Sequence, residues 1–494
     1  MGDRKRCGSA AETAFRAHAR PERGRSRGRA ARGHSRGAPG VPGPAERPRA
    51  AGGPPGSRGT PLRVRAGRGR LAYAGAMTDL PQRCDAVVVG AGVAGLVAAA
   101  DLAAAGLDVT VVEAGESVGG RVRSHVRDGY ILDRGFQILN TAYPAVRRRM
   151  DLDALRLRTF PKGMAVRTDR GLLRLHPSPS GALSSLSLLS GSLVRPSDLL
   201  RLLRAVAADA LEPADRIKAR PETDTLTALR RLGLGRRAVN TLVRPFLTGV
   251  FLDESLSTSS RVNDLVWRSF ARGRLAVPEA GIQAVSDQLA ARAGGARFLL
   301  GTPAYEVAPG RVRTEAGTVE ARAVVVAVGP GAVPKLLPSL PAPVLNPATT
   351  YYHSRPAGSD DDPLLHVDGR SRRARTGLTS VMVLTATAPS YAPPGRALIA
   401  SSTVGRDQPP EAEVRAEAAG ILGVRDGDWE HLETVHVPDA LPAAPPPLGD
   451  LRRPVRLEEG LYVAGDHRDT PSLQGALVSG GRAAAAALAD LTGR

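Results

Sequence analysis

Cysteine is nearly missing: 494 residues hold only Cys7 and Cys84. Two distant thiols exclude a disulfide framework and a cysteine metal cluster, and they fit a reducing, cytoplasmic setting. Lysine is as scarce beyond residue 76, where only Lys162, Lys218 and Lys335 occur. Aromatic residues make up 3% of the chain. No uninterrupted run of ~20 apolar residues occurs, which argues against a transmembrane helix. No apolar segment follows the N-terminal charges, so no secretory signal is expected. What remains is a chain 42% hydrophobic, long enough for two or three domains with ample core.

Negative charge is short in one place only. Residues 1–76 carry seventeen Arg and one Lys against four acids, about +14 of the formal net charge of +20. That segment is rich in Gly, Pro and Arg with almost no apolar periodicity, so it is read as a disordered tail. Three roles stay open for it: an arm binding nucleic acid through phosphate charge, a transit peptide, or an upstream extension without a native role. The last is favoured, because Met77 opens a clean lead into the first strand. The remaining charge, about +6 (20 − 14), is not a basic surface built for specific nucleic-acid binding.

The chain is organised around Asp85–Arg121. Ala86–Val89 reads as a buried parallel strand. Gly90, Gly92 and Gly95 follow as G-x-G-x-x-G. Val93–Ala105 is an Ala/Leu-rich helix stopped by Gly106. Val109–Val112 is a second strand, ending at Glu113. The first glycine allows the tight turn, the second lets backbone approach a pyrophosphate, and the third lets helix and strand pack closely. Ala94 lies between the second and third glycines, and free N–H groups at the helix start favour phosphate. Glu113, eighteen residues beyond Gly95, can accept from both ribose hydroxyls of an adenosine; Ala114 follows it. Together these elements predict a dinucleotide site.

Further along, Glu116–Arg121 (ESVGGR) offers Gly120 backbone and the Arg121 guanidinium to the same pyrophosphate. Gly135, in DRGFQ, would let backbone pass close to a flat ligand. A helix is expected from Gly281–Gln283 through Arg292. Ala304–Val307, Gly310–Val312, Val319 and Ala323–Val328 form a hairpin-like run ending in a buried strand. Leu461–Ala464 is another buried strand. It leads through Gly465 and Asp466 to Ser472, Gln474, Gly475 and Ala476, where an Ala-rich helix begins and runs to Ala489. Its start is a second helix N-terminus aimed at a cofactor. Residues 156–275 are mostly helical by pattern, with a helix from a capping Ser197. Ser178–Val194 is an uncharged Leu/Ser stretch, read as helix and loop around a pocket; the sharper reading is a peripheral membrane contact that admits a lipophilic substrate. Strands are expected at 346–356, Val381–Thr387 and Arg396–Thr403, with Pro442–Pro447 as a stiff connector.

GAGVAG, VEA and GGR near the start, with YVAGD and SLQGALVSGGRAA near the end, resemble the flavin-containing amine oxidase and phytoene desaturase superfamily. The resemblance is specific over about a fifth of the chain and general in between. It implies an α/β fold: a Rossmann-type FAD-binding domain interrupted by an α+β substrate domain, with a sheet over the flavin and helices outside. The FAD-binding parts would be 77–155, 276–332 and 453–494. The helical part of the substrate domain would be 156–275 and its sheet part 333–452. The resemblance favours FAD over NAD. It assigns Gly90, Gly92, Gly95 and Arg121 to the pyrophosphate, Glu113 to the ribose and the Val307 backbone to adenine. Gly465, Asp466 and Ala476 would line the ribityl chain and flavin edge.

The family's cofactor accepts a hydride at N5, so an enzyme needs few acid/base residues of its own. Desaturation or dehydrogenation of an apolar organic substrate is the first reading. It fits the low aromatic content and the Leu/Ser stretch. Amine oxidation is the alternative, and oxidation of a porphyrinogen-type ring a third. The amine reading is weakened by the scarcity of lysine, which many amine oxidases place near N5. It is weakened again by Ser472, where they often carry a cage aromatic. Lys335 is read as a helix-surface residue and Trp267 as core. His467 and His353 are weak candidates for acid/base work; a histidine satisfied by its surroundings is the commoner outcome. One of Tyr351 and Tyr352 should face inward. No metal is expected. A non-enzymatic flavoprotein is the reading from another class.

Overall fold

A computed structural model describes residues 80–493, apart from 136, 176–193 and 371–375. The basic segment 1–76 and nearly all of Ser178–Val194 lie outside the described residues. The helices used below are α1 (Val93–Ala104), α2 (Pro144–Arg149), α3 (Pro196–Leu211), α4 (Arg244–Phe251), α5 (Ser260–Arg272), α6 (Gln283–Arg292), α7 (Val333–Leu336), α8 (Glu411–Leu422) and α9 (Leu473–Thr492).

The first sheet has eight strands. Its centre is parallel: Arg297–Leu299, Val109–Val112, Arg83–Val89 and Gly317–Val326 lie side by side. Leu461–Val463 adds in parallel to the far half of Gly317–Val326. Arg311–Thr314 and Ala304–Ala308 extend the near half as an antiparallel hairpin. The parallel strands are valine-rich because both faces are covered and no side chain needs to be polar: α1 and α9 pack on one face, and Val312, Val319, Val333 and Leu337 on the other. Ala86, Val87 and Val88 are fully buried. α1 is apolar nearly all round, with nine of its twelve residues buried, as a helix held between a sheet and another helix must be. That other helix is α9. Gly480 brings its backbone so close to α1 that an added Cβ would lie 2.2 Å from the Ala94 carbonyl oxygen. The two ends of the described chain are thus packed on one another.

The second sheet has seven strands in the order Glu430–Pro442, Leu345–Pro356, Arg396–Val404, Leu378–Val383, Leu365–Asp368, Met164–Thr168, Gly171–Leu175. Only the pairing of Leu365–Asp368 with Met164–Thr168 is parallel. Here the reading of 156–275 as mostly helical needs a correction. Its first twenty residues form Leu157–Thr159, Met164–Thr168 and Gly171–Leu175, and the last two complete the second sheet. The helix expected from Ser197 starts at Pro196, with Arg195 as an N-cap that offers no side-chain bond. Proline at the first helical position supplies the start instead, its fixed φ and missing N–H both suiting that place. No described helix is long and apolar enough to cross a membrane.

Candidate active site

One cavity of about 860 Å³ lies between the two sheets, toward the upper end of the ~300–1,000 Å³ usual for ligand sites. Its floor comes from the first sheet: Val89, Gly90, Gly92, Glu113 and Ala114. Gly465, Asp466 and Ala476 enter from the C-terminal strand and α9, and Thr350, Thr379 and Ser402 from the second sheet. α4 and α5 close the far end with Phe246, Val250, Val266 and Phe270.

The floor has the shape a dinucleotide needs. Gly90 turns the chain at φ +104°. Gly95 faces inward, and its Cβ would lie 1.9 Å from the Gly90 carbonyl oxygen. Gly92 does the opposite: a Cβ there would meet nothing within 4 Å. A Cβ on Gly120 would come within 3.3 Å of the Gly92 Cα, so two bare backbones lie side by side on the floor. No side chain caps the start of α1, which leaves its first N–H groups for a ligand. Glu113 stands at the end of its strand and accepts from Ala91 N at 2.6 Å and Gly115 N at 2.8 Å. These features fit an anionic dinucleotide lying across α1.

Arg121 joins three distant segments. It donates to Asp466 Oδ1 at 2.7 Å and to the Ala440 carbonyl at 2.8 Å. Burial pulls its pKa down, but the Asp466 carboxylate outweighs that and leaves it above its ordinary value, with Asp439 adding to the effect. Asp133 sits under the loop that carries Gly135. Burial pushes its carboxyl up to about 6, against hydrogen bonds from the Ser124 hydroxyl and Ile282 N–H.

The expected site residues divide. Gly90, Gly92, Ala94, Glu113, Ala114, Gly120, Arg121, Gly135, Gly465, Asp466 and Ala476 line the cavity. Gly95, Val307, Gln474 and Gly475 stand behind it. Gln474 accepts from Ala145 N at 2.9 Å, a Cβ on Gly475 would strike the Thr470 carbonyl, and the strand of Val307 sends Ala304 and Tyr305 to the lining instead. Neither histidine lines the cavity. His353 follows the alternation of its strand toward α8, where it meets Glu411 at 2.8 Å and the rings of Trp429 and His431. Tyr351 shares that outer face; Tyr352 takes the inner one and donates to the Asp133 carbonyl at 2.9 Å. Trp267 packs on Phe246 and Phe270. Asp439, Arg134 and Tyr305 line the cavity without having been singled out. Only the Pro-Asp turn chemistry of VPDALP hints at the first.

His467 is folded behind Gly465, whose Cβ would lie 2.5 Å from the imidazole. Both ring nitrogens lack a protein partner, and burial pushes the pKa down to about 4. An unfolded histidine titrates near ~6.5. The neutral ring therefore contributes stability that is complete above pH ~6.5 and is lost as pH falls toward 4, about 3 kcal/mol in all. Between pH 7 and pH 4 the urea-unfolding free energy should fall by that much more in the wild type than in His467→Phe. Parallel profiles would show that the ring is not buried neutral. Asp133 titrates with the opposite sign, but it is common to both proteins and cancels in the difference.

A parallel-stranded sheet with this floor, roofed by a second sheet across one long cavity, defines a flavin-binding oxidoreductase. Residues 93–488 match the family described as flavin containing amine oxidoreductase, and the chain belongs to that family. It is an enzyme, and FAD is its cofactor. The chain is 29% identical over 226 residues to protoporphyrinogen oxidase 2 of Arabidopsis thaliana, covering 44% of this chain and 41% of that one. It is 28% identical over 175 residues to coproporphyrinogen III oxidase of Bacillus subtilis, covering 33% and 36%. The chain thus aligns with less than half the length of either curated relative. Cyclohexylamine oxidase from Brevibacterium oxydans shares the fold, with a TM-score of 0.62, 18% identity, and 83% of this chain and 99% of that one covered.

Proposed function

We propose that this enzyme dehydrogenates an uncharged, largely apolar organic substrate held between α4, α5 and the second sheet. FAD, when bound, supplies the hydride acceptor at N5. Gly90, Gly92 and Gly120 offer backbone to its pyrophosphate, and Glu113 offers its carboxylate to the adenosine ribose. Gly135, Gly465, Asp466 and Ala476, which line the same cavity, would hold the flavin end.

The observation that carries the substrate class is the distribution of charge. The charged lining residues are Glu113, Arg121, Arg134, Lys335, Asp439 and Asp466. α4 and α5 contribute none; they offer Phe246, Val250, Val262 and Phe270. An ammonium or carboxylate placed among those side chains would lose its hydration without a partner. Opposite them Thr379 and Ser402 offer hydroxyls, enough to orient a substrate without selecting a charge. Against the amine reading, Lys162 donates to the Ala271 carbonyl and Lys218 to Asp215. Lys335 lies on α7, beside the strand of Ala304 and Tyr305. The Ser472 hydroxyl is taken up as the cap of α9. A porphyrinogen-type ring is the second reading, favoured by the names of the two relatives above. A peripheral membrane contact would suit delivery of either lipophilic class.

Anaerobic bleaching of the FAD absorbance distinguishes them. Apolar polyenes should reduce the enzyme and simple amines should not; bleaching by porphyrinogens alone would favour the second reading, and bleaching by amines alone would overturn both. Gly249 supplies a targeted check. It lines the cavity on α4, and a Cβ there would first meet Thr379 Oγ1 at 3.7 Å. Gly249→Leu should therefore fold and hold FAD, since leucine suits a helix interior better than glycine. Its side chain should raise KM for the bleaching substrate at least tenfold. An unchanged KM would place the substrate elsewhere.

A further inference from the structure

A second, smaller hollow of about 290 Å³ is lined by Ala142, Pro144, Arg147, Arg268 and Arg272. It lies across α5 from the large cavity. Val266 and Phe270 face that cavity. Two residues turn a helix by about 200°, so Arg268 and Arg272 share the opposite face. α2 brings Arg147 to them. The hollow is separate from the dinucleotide floor and takes no part in the chemistry above.

Each arginine is held by one backbone carbonyl. Arg147 Nε donates to Thr141 O at 2.7 Å, Arg268 Nε to Glu212 O at 2.9 Å and Arg272 Nη1 to Ala210 O at 3.0 Å. The last two close the C-terminal end of α3, whose carbonyls need donors. That uses one donor of the five on each guanidinium. Among the described residues none of the three has a carboxylate partner. The nearby acids Asp209, Glu212 and Asp264 are all drawn to Arg220, at 2.7, 2.6 and 2.5 Å. Burial, and then the charge of Arg272, push the Arg268 pKa below its ordinary value. Three guanidinium groups line one concave wall, with no carboxylate among the described residues to neutralise them. The three sit on two helices, α2 and α5; Arg268 is half-buried and Arg147 and Arg272 are exposed, and the carbonyls of Thr141, Glu212 and Ala210 hold them in place.

We propose that this hollow binds a phosphate dianion, free or as a small monoester. The planar guanidinium matches phosphate oxygens two at a time, and the volume suits a ligand far smaller than a dinucleotide. A bound anion would brace α2 against α5, whose other face is a wall of the substrate cavity.

The test uses the FAD-loaded full-length protein, so that the dinucleotide phosphate site is already filled. Thermal unfolding and calorimetric titration are followed with inorganic phosphate and with glycerol 3-phosphate, against sodium chloride at equal ionic strength. A saturable rise in melting temperature with phosphate or its ester, absent with chloride, is expected. The affinity should fall at least tenfold in Arg268→Gln/Arg272→Gln. Because those two also serve α3, Arg147→Gln is the second variant. Its one bond is to its own loop, so it should lower the affinity several-fold and leave the unliganded melting temperature and flavin spectrum unchanged. Tighter binding of the ester assigns a monoester ligand, and tighter binding of phosphate assigns the free ion. An equal response to chloride, or phosphate affinity unchanged in both variants, overturns the site.

Discussion

Gly95→Ala is expected to purify without FAD and to melt at a temperature lower by roughly 5 °C or more, because overpacking costs about 1–3 kcal/mol and more where backbone must move. The added methyl would lie 1.9 Å from the Gly90 carbonyl oxygen, 3.1 Å from that carbonyl's carbon and 3.2 Å from Ala327 Cβ. Two of those atoms are backbone, so no rotamer relieves the overlap. α1 must lift from the strand before it, and the turn that aims its N–H groups into the cavity goes with it. Gly92→Ala is the control that separates fold from ligand. Its φ of −70° suits any residue, and its methyl has 4 Å of clear space. That space is the cavity floor. Gly92→Ala should keep the melting temperature of the apoprotein and lose at least tenfold in FAD affinity, read by fluorescence titration. Full FAD retention in Gly92→Ala would move the pyrophosphate off this turn; a yellow, stable Gly95→Ala would refute the close packing of helix and strand.

What was legible along the chain is what neighbours in sequence decide. The turn after Ala86–Val89, the helix behind it, the strand to Val112 and the hairpin of Arg311–Val326 all declare themselves through valine runs and glycines within a few residues of one another. The far wall of the cavity does not. Leu365–Asp368 pairs with Met164–Thr168, some two hundred residues away, and neither strand has a period long enough to stand out. Thr168–Gly171 (TDRG) was the one local sign of the hairpin that carries Met164–Thr168 into the second sheet. Orientation was harder still. Alternation along Leu345–Pro356 correctly separates Tyr351 from Tyr352. It cannot say which face meets the cavity, because the register against Arg396–Val404 decides that. His467 follows Gly465-Asp466 directly, yet the short helical turn at Asp466–Arg468 folds its ring behind the glycine. The glycines of SGGRAA were passed over as part of an Ala-rich helix, although glycine inside a helix costs stability unless something approaches it. Gly480 against Ala94 is that approach.

Arg121→Ala should be the most damaging single change at the junction of the two sheets. Arg121 lies just past the first glycine turn, Ala440 on the edge strand of the second sheet, and Asp466 next to the C-terminal strand. The one guanidinium bonds to both partners. Asp466 is 4% exposed at its side chain. Taking away its cation leaves a buried carboxylate unpaired, at a cost of about 3–5 kcal/mol. Urea unfolding at pH 7.5 should show the full deficit. Arg121→Ala/Asp466→Asn should regain part of the stability at pH 7.5, because the neutral amide has less to lose by burial. It should not regain FAD, since the cation proposed for the pyrophosphate is still missing. Arg121→Lys keeps the charge but cannot reach Asp466 and the Ala440 carbonyl with one planar fork, so it should fall between. A double variant no better than the single one would mean that Asp466 does not depend on Arg121. The C-terminal motif would then be held in place by the α1–α9 crossing and by the pairing of Leu461–Val463 with Gly317–Val326.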